Sequence, residues 1–207
     1  ATTRGVTVIL DPAYFDQMYA AADDPWGFTS RWYEQRKYAL TLGLLPRERY
    51  DAAFEPGCSI GVMTEQLGRR CTSVLACDVA AAAVKAAATR VSGQPGVRVE
   101  QRVLPDQWPD GDFDLIVFSE FLYYFGGPDL QRLLDRARAA LRPGGTLIAV
   151  HWRHPVAEYP RSGDEVHQVL ARQAGLSRLA EHREPDFIAE AYLNGPLISV
   201  AQATGLA

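Results

Sequence analysis

From Ala52 onward the sequence alternates short apolar, β-branched runs with stretches of helical spacing, and this alternation constrains the fold more than any other feature. Apolar runs at 52–54, 73–77, 97–103, 115–119 and 146–150 alternate with helical stretches predicted at 63–69, 80–91, 128–141 and 163–174. Strands separated by helices cannot pair as hairpins. Each must cross over, which gives a largely parallel sheet covered by helices on both faces. The end of the chain departs from the rule: residues 176–183 and 186–193 read as two strands separated only by Glu184-Pro185, an antiparallel hairpin closing the sheet edge. The expectation is an α/β fold with a doubly wound, mostly parallel seven-stranded sheet. Residues 13–48 precede the first strand and are rich in aromatic side chains, with a helix predicted over 30–42. They belong to no strand and are expected to form a helical lid over a ligand, and residues 1–12 read as a loose arm.

Composition narrows what such a fold can do. At 207 residues and 47% hydrophobic, the chain fits one domain with one sizeable core. A net charge of −4 and scattered basic residues argue against a nucleic-acid partner. No 18-residue apolar run predicts a membrane span, and the apolar patch in the first 15 residues is too short for a signal peptide, so a cytoplasmic location is expected. The three cysteines, Cys58, Cys71 and Cys77, form no CxxC pair, so neither a disulfide framework nor a metal site is expected. Oligomeric state leaves no signal.

The functional signal is the stretch FEPGCSIG at 54–61, which follows the first strand and opens the first helix. In a doubly wound sheet the ligand crevice lies outside the carboxyl ends of the strands, and this turn forms its floor. Gly57 and Gly61 let the backbone bend sharply and come close to a ligand. A dinucleotide site would read G-x-G-x-x-G, with a helix N-terminus facing pyrophosphate. Here an acid, Glu55, precedes the first glycine. A carboxylate there suits an ammonium group and has the wrong sign for phosphate. The second strand ends in Asp78, placed to accept hydrogen bonds from a ribose diol.

With these residues in order, the chain resembles a class I S-adenosylmethionine-dependent methyltransferase. Glu55, Gly57 and Gly61 match that family's E/D-x-G-x-G-x-G motif, with Ser59 in place of the middle glycine, and Asp78 matches its ribose-binding acid. Pro109-Asp110-Gly111-Asp112-Phe113-Asp114 and Leu141-Arg142-Pro143-Gly144-Gly145 match two later landmarks. The acid that often follows the third strand has no match, because Arg102-Val103-Leu104 stands there; main-chain groups of Val103 and Leu104 are expected to meet the adenine instead. The resemblance implies a cofactor site of Arg31, Glu55, Gly57, Cys58, Ser59, Gly61, Asp78, Val79, Val103, Leu104 and Ser119, binding S-adenosylmethionine and, as product, S-adenosylhomocysteine. Arg31 is expected to reach the methionyl carboxylate from the lid helix. A narrower likeness runs through DPWGFTSRWYEQRKYALTL, FEPGCSIGVMTEQL, FDLIVFSEFLYYF and HWRHP, which are similar to the nodulation S family of chitooligosaccharide N-methyltransferases. That likeness implies an amino-sugar or oligosaccharide acceptor. An O-methyltransferase of a small natural product and a cofactor-binding subunit without turnover are the competing readings.

Methyl transfer is an in-line displacement, so its main demand is alignment without water. An amine acceptor must also lose a proton, which a carboxylate or imidazole can take. Glu120 and His151 follow the fourth and fifth strands and are the candidate catalytic groups. Their bland alternatives are a solvated loop carboxylate and a core or capping imidazole. Tyr33, Tyr124, Trp152 and Arg153 are the candidate acceptor contacts.

Overall fold

The structure is a computed structural model and describes residues 12–207. The arm expected over residues 1–12 lies outside the described residues, apart from Pro12, which opens the first helix. Two helices, α1 Pro12–Ala21 and α2 Trp32–Gly43, precede a sheet of seven strands: β1 Tyr50–Pro56, β2 Cys71–Asp78, β3 Val97–Gln101, β4 Phe113–Ser119, β5 Leu141–Trp152, β6 Leu176–Arg183 and β7 Phe187–Asn194. The crossovers carry α3 Val62–Arg70, α4 Ala81–Arg90 and α5 Gly127–Ala140, while α6 Gly163–Leu170 links β5 to β6 and α7 Val200–Ala203 ends the chain. The strand order is β3-β2-β1-β4-β5-β7-β6. Pairing from β3 to β5 is parallel, and β7 is antiparallel to both β5 and β6. This is the doubly wound sheet with an antiparallel edge that the alternation predicts.

Both faces of the central strands are apolar, which is why β4 reads as an uninterrupted run instead of an alternating one. Phe54, Ile116, Phe118, Leu147 and Ala149 pack with Leu130, Leu133 and Leu134 of α5 and Val166 and Leu170 of α6. Their neighbours Ala53, Leu115, Val117 and Ile148 face the other way, onto Tyr38 of α2 and Met63 and Leu67 of α3. The α2 segment therefore covers one face of the sheet as well as the ligand side. The carboxylate of Asp114 accepts from the backbone N–H groups of Asp51 (3.0 Å) and Ala52 (2.8 Å), so this member of the landmark pins the start of β1.

Several boundaries differ from those predicted, each for a local reason. β5 starts at Leu141, ahead of the apolar run, because Phe113 pairs with Leu141 before a register shift brings Leu115 opposite Thr146. α6 stops at Leu170, short of 174, and the chain then turns through Gly175 at φ +84°. α1 carries no periodic apolar signal of its own. It is held by tertiary contacts of Phe15 and Tyr19 with Ile60, Ala80 and Ala83.

Candidate active site

The chain leaves β1 outward through β2 and β3, then returns to β4 on the opposite side of β1. Crossovers diverge at that point and leave a crevice beyond the carboxyl ends of β1 and β4. A cavity of about 520 Å³ occupies it, covered by residues of α1, α2 and the loop between them. The glycine turn forms one end. Gly57 has φ +72° and Ser59 φ +50°, and the N–H groups of Gly57 and Cys58 both donate to the Cys77 carbonyl, at 2.7 and 2.9 Å. A Cβ on Gly57 would stand 2.5 Å from the Phe121 ring, so only glycine lets β1 turn under that ring. Gly61 (φ +80°) does a different job: a Cβ there would meet the backbone and Cβ of Ala87 at 2.9 Å, so glycine allows α3 to pack against α4.

Two carboxylates and one hydroxyl converge on this turn. Asp78 is buried and takes the Ser59 N–H at 2.9 Å and the Ala80 N–H at 3.0 Å; burial raises its pKa, against the opposing pull of those donors. Glu55 is buried beneath the turn and accepts the Thr64 hydroxyl at 2.6 Å. Burial pushes its pKa up to about 8. The Tyr19 hydroxyl reaches down from α1 to share a short hydrogen bond with the Ser59 hydroxyl, so the cover is tied to the turn.

The opposite end of the cavity is built around Glu120. Its backbone has φ +52°, a left-handed conformation that costs energy in a side-chain-bearing residue and is held by its N–H donating to the Val150 carbonyl at 2.8 Å. One carboxylate oxygen accepts Lys37 Nζ at 2.7 Å, and the other accepts the Tyr123 hydroxyl at 2.5 Å and the Trp152 N–H at 2.9 Å. Lys37 is buried, lies 5.0 Å over the Tyr33 ring and forms a second ion pair with Glu34 at 3.0 Å. Burial works against its ammonium, but Glu120 and Glu34 outweigh burial and raise its pKa. Aromatic rings enclose the carboxylate. Tyr123 stacks on Tyr159 at 4.8 Å, Tyr124 meets Tyr159 edge-on at 4.9 Å, and Tyr33 meets Trp152 edge-on at 5.5 Å. Burial holds the Tyr33, Tyr123 and Tyr124 phenols well above their ordinary pKa, so they stay protonated and do not act as bases at neutral pH.

Of the residues singled out from the sequence, Arg31, Glu55, Gly57, Cys58, Ser59, Asp78, Val79, Val103, Leu104, Ser119, Glu120, Tyr33, Tyr124 and Trp152 all line this cavity. Gly61, His151 and Arg153 do not. Arg153 is turned away, with Nε 2.7 Å from Asp164 and Nη1 donating to the Glu184 carbonyl at 2.6 Å. His151 is fully buried behind the 120–124 turn, where Nε2 accepts the Leu122 N–H at 3.1 Å and Nδ1 meets His167 Nε2 at 3.1 Å. Both ring nitrogens are engaged, and burial, followed by the nearby His167, pushes its pKa well below the ordinary value. The bland alternative of a core imidazole describes it better than that of a proton acceptor facing the cavity. The sequence reading missed Glu34, Lys37 and Tyr159. The i, i+3 spacing of Glu34 and Lys37 was legible, but not that both would be buried.

The donor set fits an adenosyl amino acid: a backbone stripped of Cβ at Gly57, a buried carboxylate at the end of β2, a second carboxylate under the turn, and an arginine, Arg31, on the cavity wall. Among the described residues no cluster of three metal-binding side chains occurs and no helix is long and apolar enough to cross a membrane. Comparisons agree with the geometry. Residues 16–172 match the family model described as nodulation protein S. Nodulation protein S of Rhizobium tropici is 30% identical over 130 residues, covering 62% of this chain and 55% of that protein. An uncharacterised methyltransferase of Mycobacterium tuberculosis is 26% identical over 133 residues, 64% of each protein. The chain thus spans about three-fifths of the length of these curated relatives. Among solved structures, a putative methyltransferase from Pseudomonas syringae is 48% identical, with a TM-score of 0.71, covering 79% of this chain and 99% of that one. The N-methyltransferase NodS from Bradyrhizobium japonicum, solved with S-adenosylhomocysteine, shares the fold at a TM-score of 0.80 and 22% identity, covering 89% and 99%. The match over residues 16–172 shows that the chain belongs to the nodulation protein S family, and its fold is that of the solved methyltransferases.

Proposed function

We propose that this protein transfers a methyl group from S-adenosylmethionine to the amine of a small polar acceptor, an amino sugar or a partly deacetylated chitooligosaccharide. S-adenosylmethionine, when bound, supplies an electrophilic methyl on a sulfonium centre. Asp78 would hold the ribose diol, Glu55 the ammonium, Arg31 the carboxylate, and main-chain groups near Val103 and Leu104 the adenine. The observation that carries the acceptor assignment is Glu120, a carboxylate fixed from three sides at the aromatic end of the cavity. A carboxylate ringed by π-faces attracts an ammonium and repels an acidic acceptor.

An acceptor amine reaches neutral pH largely protonated and attacks only as the free base. Glu120 would orient it and receive its proton, while Lys37 and the Tyr123 hydroxyl keep the carboxylate in place. The aromatic rings exclude water from the line of attack. Labelled S-adenosylmethionine offered with glucosamine-terminated and fully N-acetylated oligosaccharides tests this reading. Label is expected on the free amine alone, because the acetamide lone pair is delocalised, and Glu120→Gln is expected to lower turnover roughly 10²–10⁴-fold. Transfer to the acetylated sugar at the same rate, or to a carboxylate acceptor instead, overturns it.

A further inference from the structure

A polar relay crosses the buried side of the sheet beneath α6. His151 of β5 contacts His167 of α6 (Nδ1 to Nε2, 3.1 Å), and His167 Nδ1 lies 2.5 Å from Glu190 Oε2 of β7. Glu190 also accepts the Tyr192 hydroxyl at 2.6 Å and Arg178 Nη1 at 2.7 Å. His151, His167 and Glu190 are each at most 2% exposed, and Arg178 carries the relay to the surface. The strand register explains the assembly: Ala149 pairs with Glu190 and His151 with Ile188, so His151 and Glu190 project from the same sheet face, the one α6 covers.

Hydrogen bonding fixes the direction of the relay. The Leu122 N–H is a donor, so His151 Nε2 must be the acceptor; its proton then sits on Nδ1 and points at His167 Nε2. His167 in turn carries its proton on Nδ1, donating to Glu190. Only one tautomer of each ring satisfies every partner. The titratable groups facing His151 are His167 from α6, Tyr123, whose ring is 5.1 Å away in the 120–124 turn, and Lys37 from α2.

We infer that His151, His167 and Glu190 form a tautomer-setting relay of positioning residues, which fixes the Leu122 N–H and thereby aims Glu120 and Tyr123 into the cavity. None of the three lines the cavity. The turn they hold is short and carries the left-handed Glu120, so a loose Leu122 would let the carboxylate shift, and a misplacement of about 1 Å costs on the order of 10²-fold in rate.

The test compares His151→Leu, His151→Gln and His167→Leu with the wild-type protein. Histidine-labelled ¹⁵N spectra of the wild type should show both buried imidazoles neutral and protonated on Nδ1. His151→Leu and His167→Leu should speed hydrogen exchange at the Leu122 amide and lower kcat about 10²-fold, with unchanged S-adenosylhomocysteine affinity. His151→Gln, whose amide oxygen can accept the same N–H, should restore amide protection and most of the rate, with a pH profile parallel to wild type. Loss of rate in His151→Gln equal to that in His151→Leu, or an Nε2-protonated His151 in the spectra, overturns the relay. The exchange and tautomer readouts need no acceptor, so they stand or fall separately from the amine assignment.

Discussion

Glu55 offers the sharpest test of the cofactor end, because its charge is linked to what it binds. Burial pushes its pKa to about 8, with only the Thr64 hydroxyl opposing among its direct partners, so below that pH the ligand-free protein holds Glu55 protonated. An ammonium over the turn favours the carboxylate and lowers that pKa on binding. At pH 6.5, about 1.5 below the folded value, roughly 3% of Glu55 is ionised, and forcing ionisation costs about 2 kcal/mol. S-adenosylhomocysteine affinity is therefore expected to rise close to tenfold per pH unit from about 6 to 8 and then flatten. Calorimetry at pH 6.5 in two buffers of different ionisation enthalpy should show about one proton released per ligand bound. Glu55→Gln should bind more weakly at pH 8 and show neither slope nor release. A flat affinity profile with no proton release in the wild type would refute the pairing of Glu55 with the ammonium.

The same residue sets a stability trend: a raised folded pKa stabilises most below the unfolded value near 4.5 and that contribution is lost as pH rises through about 8, so the ligand-free wild type should lose more thermal stability between pH 6 and 9 than Glu55→Gln does. Asp78→Ala should weaken S-adenosylhomocysteine by about 1–3 kcal/mol, as expected for a buried acceptor removed, and NAD should not compete for the site. Gly61→Ala should destabilise the fold by about 1–3 kcal/mol through its left-handed φ and the Ala87 contact, seen in a denaturant melt, and Gly57→Ala should carry a similar cost and in addition weaken the cofactor by forcing Phe121 across the turn.

The cofactor end was legible in the sequence because it is local. Glu55, Gly57 and Ser59 lie within five residues, and the turn demands left-handed backbone at fixed positions, which leaves glycine as a visible trace. Asp78 is legible for a related reason: it ends a strand that must pair in parallel with β1, and the register places Pro56 opposite Cys77. The acceptor end is legible only in part. Glu120 is legible as the residue that follows β4, but its partners Lys37 and Glu34 and the neighbouring Tyr159 come from distant parts of the chain, and an apolar-polar pattern cannot distinguish a buried lysine paired with two carboxylates from a solvated helix face. His151 shows the limit most plainly. A histidine ending a central strand of this sheet fits a base at the crevice, and only the side chain of α6 above it, with Glu190 behind, turns it into a core group.

The two ends are mechanically joined, and this explains why the lid segment cannot be a passive cover. Lys37 sits on α2, whose Tyr38 packs into the same core as Met63 of α3, while its ammonium grips Glu120 at the far end of the cavity. Tyr19 of α1 grips Ser59 of the turn at the near end. Breaking either grip leaves a buried charge or a half-buried hydroxyl without its partner. The two attachments differ in strength, since Lys37 is charged, almost fully buried and doubly paired, whereas Tyr19 makes one neutral hydrogen bond. Opening for cofactor exchange is therefore expected to swing α1 and the 22–31 loop while α2 stays seated. Removing residues 1–21 should leave a cooperative melt and weaken S-adenosylhomocysteine about tenfold or more, because Phe15 and Tyr19 line the site. Lys37→Met should instead lower the melting temperature, because Glu34 and Glu120 are left without their shared cation, and uncouple Glu120, reducing turnover with cofactor affinity intact. If the truncation leaves affinity untouched, α1 is not the moving cover.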